Sequence, residues 1–255
     1  MEAEGVDMLL VGDTAAEVVL GLDSTRGIPP EFLLTLTAAV RRGAPNSFVM
    51  ADLPYAWRHG TIREVTDWTQ RFLEETASDA VKIEVTGQDA ALIESIRNVG
   101  VPVVAHLGLL PQTIEPGETY RARGRTATEA AELLEDARRL ENAGASILLL
   151  EAVASEVAKE VASRTELPVI GCCSGPYCDG TVVVLHDMIG WGGGHPPKSV
   201  KQYADMSHTL GQAFTAYVAD IRTGQFPRDE DAIHMKPGEY DPFIALAGKL
   251  LNKGL

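Results

Sequence analysis

The sequence predicts an α/β fold, a (β/α)8 TIM-type barrel, and three observations predict it. Short apolar runs alternate with amphipathic segments along the whole 255-residue chain, the pattern of repeated strand–helix units and hence of a parallel sheet. Runs such as "ILLL" and "PVV" are uninterrupted, as expected of strands covered on both faces. Five of the runs end on Asp13, Asp52, Glu84, His106 and Glu151, and in a barrel the C-terminal strand ends all meet at one mouth. Polar residues also close strands in ordinary turns, so any single one has that simpler reading. Five of them, together with Lys82, favour convergence.

The elements follow in order. The acidic opening "MEAEGVD" leads into the first run, "DMLLVGD" to Asp13. "EAEG" there resembles the tail of a helix turning into strand two. The chain is therefore expected to begin after the place of strand one, with seven strands counted where a closed barrel has eight. A helix over about 30–43 leads to "SFVMAD", ending at Asp52, and one over 61–77 leads to "AVKIE", ending at Glu84. A helix over 88–98 precedes "VPVVAH", which closes on His106. The helix over 126–143 is the clearest: "GRTATEAAELLEDARRLENAG" has a Thr cap, apolar positions at helical spacing and a closing Gly. "SILLLE" then ends at Glu151, a helix covers 154–165, "LPVIG" ends at Gly171 and "TVVVLHD" at Asp187. A last long helix is expected from about Pro197 to Thr223. Nothing resembles a linker or a low-complexity tract, so residues 1–255 are expected to form a single α/β barrel domain.

Composition narrows the function. At 45% hydrophobic residues the chain can bury an ordinary core, and a formal charge of −14 argues against nucleic acid and anionic membranes as partners. The N-terminus carries no apolar stretch long enough for a signal peptide or a membrane span, and a cytoplasmic location is expected. Cys172, Cys173 and Cys178 are odd in number, so a disulfide scaffold is not expected. Their spacing matches no common zinc pattern. "GWGGGHPPK" is expected to be a flexible loop; it is not a phosphate loop, because no Gly-Lys-Ser/Thr follows.

"DAVKIEV", residues 79–85, sharpens the chemistry. Side chains alternate along a strand, so Val81, Ile83 and Val85 share one face while Lys82 and Glu84 share the other. Asp13, Asp52 and Glu84 are hard oxygen ligands suited to Mg2+, and Lys82 beside them can pair with a substrate carboxylate. An internal ion pair plugging the barrel would explain Lys82 and Glu84 alone, but not Asp13 and Asp52. Glu151 follows four apolar residues and is the natural general base, since desolvation raises a carboxylate toward neutrality. His106 can donate a hydrogen bond to a developing oxyanion, although a lone strand-end His is also often structural. These parts suit proton removal beside a carbonyl: Mg2+ chelated by a 2-oxo acid polarises the keto oxygen, and the resulting enolate attacks an electrophile.

From about residue 3 to about 235 the chain resembles the ketopantoate (3-methyl-2-oxobutanoate) hydroxymethyltransferase family. The segments that carry the resemblance are "GVDMLLVGD", "VVLGLDST", "AVRRGAPNSFVMADLPY", "VKIE", "VPVVAHLGLLPQT", "LLEDARRLENAGA", "LLLEAV", "LPVIG", "DGTVVVLHDMIG", "VKQYAD" and "GQFP". Their joint order and spacing make the match specific. The resemblance implies a barrel of the phosphoenolpyruvate mutase and isocitrate lyase superfamily that forms large homo-oligomers, decamers in this family. It implies transfer of a one-carbon unit from 5,10-methylenetetrahydrofolate to a small 2-oxo acid, 3-methyl-2-oxobutanoate, on the way to pantothenate and coenzyme A. Position by position, Asp13, Asp52 and Glu84 match the family's metal site. Asp13, Thr14, Asp52 and Lys82 match its substrate contacts, Glu151 its proposed base and His106 its pocket histidine. Thr14 stands where the family usually has Ser and keeps the hydroxyl.

The chain also departs from the family. Ala16-Glu17 replaces Gly-Met, and Val85-Thr86 replaces Gly-Gly, whose added Cβ atoms are expected to narrow the loop beside the metal. "GCCSGPYCDG" replaces a Gly-Ile-Gly-Ala-Gly-like loop. Two other functions fit the residues: another 2-oxo acid aldolase or lyase of the same superfamily, or a catalytically silent paralogue serving as a subunit. Turnover without folate would mark the first. Assembly with an intact homologue without binding Mg2+ would mark the second.

Overall fold

The computed structural model describes residues 1–115, 118–192 and 197–251, which pack as two compact units, Met1–Ala204 and Asp205–Leu255. Gly193, Gly194, His195 and Pro196 of the expected flexible loop lie outside the described residues.

In the first unit seven strands run in parallel, in chain order. They are β1 (Met8–Val11), β2 (Phe48–Asp52), β3 (Ala80–Glu84), β4 (Val103–Gly108), β5 (Ile147–Glu151), β6 (Val169–Cys172) and β7 (Gly180–Thr181). Between them stand α1 (Ala15–Val18), α2 (Pro30–Gly43), α3 (Ile62–Thr76), α4 (Ala90–Asn98), α5 (Ala127–Asn142) and α6 (Ser155–Arg164). Sequential order is what repeated strand–helix units give when the sheet always curls the same way. A doubly wound sheet would reverse its order midway.

Alternation along the strands assigns every residue to a face. Val49, Ala51, Val81, Ile83, Ala105 and Leu148 pack in one core with Leu33, Phe72, Ile93, Leu140 and Val161 of the helices. Burial of each large side chain there contributes roughly 1.5–3 kcal/mol. The intervening Met50, Ala80, Val104, Ile147, Leu149 and Ile170 form a second core with Met8 and Leu10, to which no helical residue among the described ones contributes. Helices therefore cover one face of the sheet, and the other is filled by the strands' own side chains, as a barrel interior is. The helix ends follow local chemistry. Thr61 and Glu64 close a reciprocal capping box on α3, and the Thr126 hydroxyl accepts from the Glu129 amide to start α5.

Two expectations need correction. The seventh strand is only Gly180–Thr181, paired with Ile170 and Gly171, after which Val182 donates one more hydrogen bond to the Gly171 carbonyl. Its neighbour β6 ends at Cys172, and Cys173 turns the chain with a φ of 56°. Among the described residues the rest of the apolar run has no strand partner, and Leu185–Ile189 coils into α7, which takes Asp187 away from any strand end. The last long helix, α8, spans Met206–Thr223 instead of starting at Pro197. Its start is fixed by the Asp205 carboxylate, which accepts from the His208 amide, while the Tyr203 amide is drawn to the Met188 carbonyl at 2.7 Å. In the second unit α8 is followed by α9 (Tyr240–Leu251). Among the described residues no helix is long and apolar enough to cross a membrane.

Candidate active site

The inner face of the sheet changes character at its C-terminal rim. Above the apolar layer of Met50, Ala80, Val104 and Leu149, the next inward positions are Asp52, Lys82, His106 and Glu151, with Glu84 one step further along β3. Strand register fixes who faces whom: Asp52 lies beside Lys82, and Glu84 beside His106. The period-two rule that fills the barrel with hydrocarbon thus also stacks the ionisable groups on top of it.

Lys82 Nζ donates to both oxygens of Asp52, at 2.9 and 2.8 Å, with both side chains buried. Burial disfavours the ammonium, but the fields of Asp52, Asp13 and Glu84 outweigh it and hold the Lys82 pKa above its ordinary value. Burial pushes the Asp52 carboxyl up to about 7 against the lowering pull of Lys82, with the neighbouring Asp13 adding to the rise. Asp13, just beyond β1, donates its amide to Asp52 Oδ2 at 3.0 Å. Thr14 follows as the residue before α1, and its hydroxyl makes no capping bond.

Glu84 accepts the Gln112 amide on both carboxylate oxygens, at 3.2 and 3.1 Å. Burial pushes its pKa up to about 8, with Lys82 pulling down and Asp13 pushing up. Arg58 reaches its carbonyl at 3.1 Å and stands 4.0 Å from the carboxylate. His106 is buried, and among the described residues neither ring nitrogen has a hydrogen-bond partner. Its Nε2 lies 3.3 Å from Glu151 Oε2, an ion-pair distance without hydrogen-bond alignment. Burial, followed by the field of Lys82, lowers the His106 pKa and keeps the ring neutral near pH 7. Glu151 is the more open partner, its side chain 24% exposed against 1% for the ring. Gly108, ending β4, allows this closeness. It holds a φ of 97°, and a Cβ there would come within 2.4 Å of the Glu151 carbonyl oxygen.

The structure therefore draws Asp13, Asp52, Lys82 and Glu84 into one hydrogen-bonded set, with His106 and Glu151 as an adjoining pair. Gln112, which sequence reasoning did not single out, links the set. Its side-chain amide donates to Asp13 Oδ2 at 2.8 Å and to the Leu53 carbonyl at 2.9 Å, while its own N–H holds Glu84. The expected narrowing at Val85-Thr86 takes another form. Val85 joins the helix-side core, and Thr86 caps a short turn through Gln88 and Asp89, so neither adds bulk among the carboxylates.

As candidate metal ligands, Asp13, Asp52 and Glu84 supply three carboxylates of hard-ion chemistry. In this arrangement their oxygens are engaged by Lys82, Gln112 and the Asp13 amide. Among the described residues no three His, Cys, Asp or Glu side chains stand close enough together to hold an ion as they are. Cation binding would require Gln112 or Lys82 to release oxygens it now occupies.

Comparison with known proteins adds independent findings. The profile of the family described as ketopantoate hydroxymethyltransferase matches residues 1–229. A 3-methyl-2-oxobutanoate hydroxymethyltransferase of Geobacillus sp. (strain WCH70) is 42% identical over 247 residues, covering 97% of this chain and 88% of that protein. The protein of the same name from Halalkalibacterium halodurans is 41% identical over 236 residues, covering 92% and 85%. Among solved structures, a phosphonopyruvate hydrolase in complex with oxalate and Mg2+ superposes with a TM-score of 0.58 at 11% identity, covering 99% of this chain and 86% of that one. The phosphoenolpyruvate phosphomutase of Streptomyces platensis subsp. rosaceus gives 0.54 at 16% identity, covering 99% and 88%. At such identities these two likenesses bear on the barrel architecture alone.

Proposed function

Because the chain belongs to the ketopantoate hydroxymethyltransferase family, we propose that its mouth transfers a hydroxymethyl group to 3-methyl-2-oxobutanoate, giving 2-dehydropantoate for pantothenate biosynthesis. The observation that carries this reading is the run of ionisable side chains on consecutive strands β1 to β5, at one rim of one sheet, within a family match over residues 1–229.

In this reading Lys82 binds the oxo acid. Two of its three N–H donors serve Asp52, which leaves one for a substrate carboxylate oxygen. Asp13 and Thr14 line the same rim as further substrate contacts. Glu151 takes the C3 proton. Its carboxylate is partly open to the mouth, where an incoming C–H can reach it. His106 is kept neutral by burial, so it donates from one ring nitrogen without competing as a cation with Lys82. Its unpartnered nitrogens are the polar atoms a bound carbonyl oxygen would satisfy.

Mg2+ fits the donor set of Asp13, Asp52 and Glu84, and the like-charge pressure that helps hold Glu84 up to about 8 is what a divalent cation would relieve. When bound, it supplies Lewis-acid polarisation of the keto oxygen. As one-carbon donor we assign 5,10-methylenetetrahydrofolate, an electrophile matched to the carbanion character that Glu151 creates at C3. Homo-oligomeric assembly and a cytoplasmic location belong to the same reading. Exposed Phe214, Tyr217 and Ile221 on α8 support the assembly, and light scattering tests it.

The experiment is NMR exchange of the C3 proton of 3-methyl-2-oxobutanoate in deuterated water with Mg2+ and no folate. Exchange should proceed in the parent chain and fall by two or more orders of magnitude in Glu151→Gln, as about 10²–10⁴ expects for a general base. Exchange unaffected by that substitution would remove Glu151 from the reaction.

A further inference from the structure

Resting on the reading of Asp13 and Glu84 as metal ligands, we propose that Arg26 is a positioning residue of the mouth. It holds the turn that carries Gln112, and through Gln112 it fixes how those two acids are presented to a cation. Arg26 stands on a short 3-10 turn, Thr25–Gly27, between α1 and α2. Ser24 Oγ accepts the Arg26 amide at 3.2 Å, which sets the direction in which the side chain leaves the backbone.

Four of the five guanidinium N–H donors are in use. Nε donates to the Gln112 carbonyl at 3.0 Å. Nη1 and Nη2 donate to the two carboxylate oxygens of Glu115, each at 2.9 Å. Nη2 also donates to the Tyr55 hydroxyl at 3.0 Å, and the guanidinium carbon lies 4.4 Å from the centre of that ring. Tyr55 Oη in turn meets His59 Nε2 at 2.9 Å. One planar group thus ties together the connections that follow β1, β2 and β4, reaching Gln112 across 86 residues of chain. Glu115 is 65% exposed, and a surface ion pair of that kind contributes little. The buried end of the clasp is the Gln112 carbonyl.

Pro111–Thr113 is a turn of three residues. The Thr113 amide and hydroxyl both donate to the Leu110 carbonyl, at 2.9 and 2.7 Å. Such local bonds shape the turn without fixing where it stands on the barrel. Its place is set by Gln112, whose N–H groups reach Glu84, Asp13 and the Leu53 carbonyl on one side while its carbonyl takes Arg26 on the other. Once Arg26 lets go, repulsion between Asp13 and Glu84 acts on a turn anchored from one side alone. Gln112 need not leave when a cation enters. Its backbone N–H is shared between the Glu84 oxygens at 3.2 and 3.1 Å, so each keeps a lone pair, and its side chain takes Asp13 by Oδ2. Lys82 then gives up oxygens of Asp52, and Gln112 stays to orient the other two acids. Partners that orient metal ligands in this way change affinity by about 10–100-fold, and Arg26, one residue further out, belongs at the lower end.

Calorimetry of Mg2+ binding and hydrogen exchange read by mass spectrometry, both on the full chain, test this. Arg26→Met should weaken Mg2+ binding by about tenfold. Removing a positive charge beside an acidic mouth would by itself tighten the cation, so the sign of the change separates positioning from charge. Arg26→Lys keeps the charge but offers one nitrogen in place of a planar fork, and it should weaken Mg2+ binding too. In a Gln112→Leu background Arg26→Met should have a smaller effect than in the parent, because part of what it acts through is gone. In metal-free protein, residues 109–114 should exchange about tenfold faster in both Arg26 variants, the effect of one lost hydrogen bond, while β5 keeps the parent rate. Mg2+ affinity unchanged or tightened in Arg26→Met, parent affinity in Arg26→Lys, additive effects with Gln112→Leu, or exchange raised equally in β5 would overturn the proposal. A parent chain without Mg2+ affinity would instead overturn the metal reading, and the exchange rates would still report whether Arg26 holds the turn.

Discussion

Replacing Lys82 by Met removes the counter-charge from the most buried acid of the mouth. Two charge-assisted hydrogen bonds are lost, at 2.8 and 2.9 Å, each worth about 1.5–3 kcal/mol. Breaking one side of a buried pair costs about 3–5 kcal/mol, and the two estimates agree. The loss depends on pH in a direction that can be worked out. Asp52 is raised from 3.8 to about 7, so in the parent its contribution to stability falls as pH climbs from about 4 to about 7 and is level above. Without the downward pull of Lys82 the folded value rises further, and the decline continues into alkaline solution. Lys82 itself is raised, so its stabilising proton is fully held below the ordinary lysine value and drops out of a comparison between pH 5 and 9. At pH 5 the Asp52 carboxyl is mostly protonated in the parent fold, and Lys82 is then the unpaired ion. Urea unfolding at fixed protein concentration should therefore show Lys82→Met weaker by about 3–5 kcal/mol at pH 8.5 and close to the parent at pH 5. A deficit under about 1 kcal/mol at pH 8.5, or one that does not change with pH, would mean that the pair is solvated and that the account of the mouth's charge is wrong.

Further outcomes follow from other contacts. Gly108→Ala should lower stability by about 2–4 kcal/mol, since the new Cβ meets the Glu151 carbonyl oxygen at 2.4 Å and the φ of 97° is itself strained; a thermal melt within about 2 °C of the parent would contradict it. Gln112→Leu strips donors from Asp13 and the Leu53 carbonyl while sparing the backbone bond to Glu84, and should cost about 1–3 kcal/mol in the same melt. With Glu84 at about 8, cation binding must expel a proton. The Mg2+ affinity measured by calorimetry should weaken by up to about tenfold per pH unit between 8 and 7, by up to about a hundredfold per unit below 7, where Asp52 must also lose its proton, and level off above 8; an affinity flat from pH 6 to 9 would take Glu84 out of the ligand set. Reading residues 1–255 as one domain calls for a single calorimetric transition, against which two resolved transitions would count.

The sequence reveals the inner face of this barrel more fully than its edges. One residue, Lys82, flanked by Val81 and Ile83, is enough to assign faces along β3, because alternation is a covalent property of an extended chain. The same logic carries Asp52, His106 and Glu151 to the rim, each above an apolar neighbour two residues earlier. Gln112 escapes that reasoning. It sits on a short turn at Pro111–Thr113, an amide has no titration to draw attention, and its partner Asp13 lies 99 residues away. The seventh strand escapes for another reason. "TVVV" has the composition of a strand, but pairing needs a partner, and β6 ends where Cys173 turns the chain. The start of α8 at Met206 likewise depends on where the Tyr203 amide finds its acceptor, Met188. What local chemistry determines is legible; what depends on a distant backbone is not.

The charge of the mouth also bears on the order of binding. Among the described residues Asp13, Asp52, Glu84 and Glu151 face one ammonium, that of Lys82, at the centre of the set, with Arg58 4.0 Å from Glu84 at its margin. An anionic oxo acid approaching that rim meets net repulsion unless some carboxylates are neutralised first. The fold already relieves part of it with protons, as the raised Asp52 and Glu84 indicate. A proton, however, removes one negative charge and offers the substrate a single O–H donor. A divalent cation brings two positive charges and can take two substrate oxygens at once, and it replaces the protons as it binds. The oxo acid should therefore bind weakly alone and tightly after the cation, with reciprocal tightening of the cation by the oxo acid, because the coupling of two binding equilibria is symmetric. Titrating 3-methyl-2-oxobutanoate with and without Mg2+, and Mg2+ with and without the oxo acid, measures the two factors. Unequal factors would show an error in measurement, but equal factors near one would show that these acids are structural and that the anion enters the mouth by Lys82 alone.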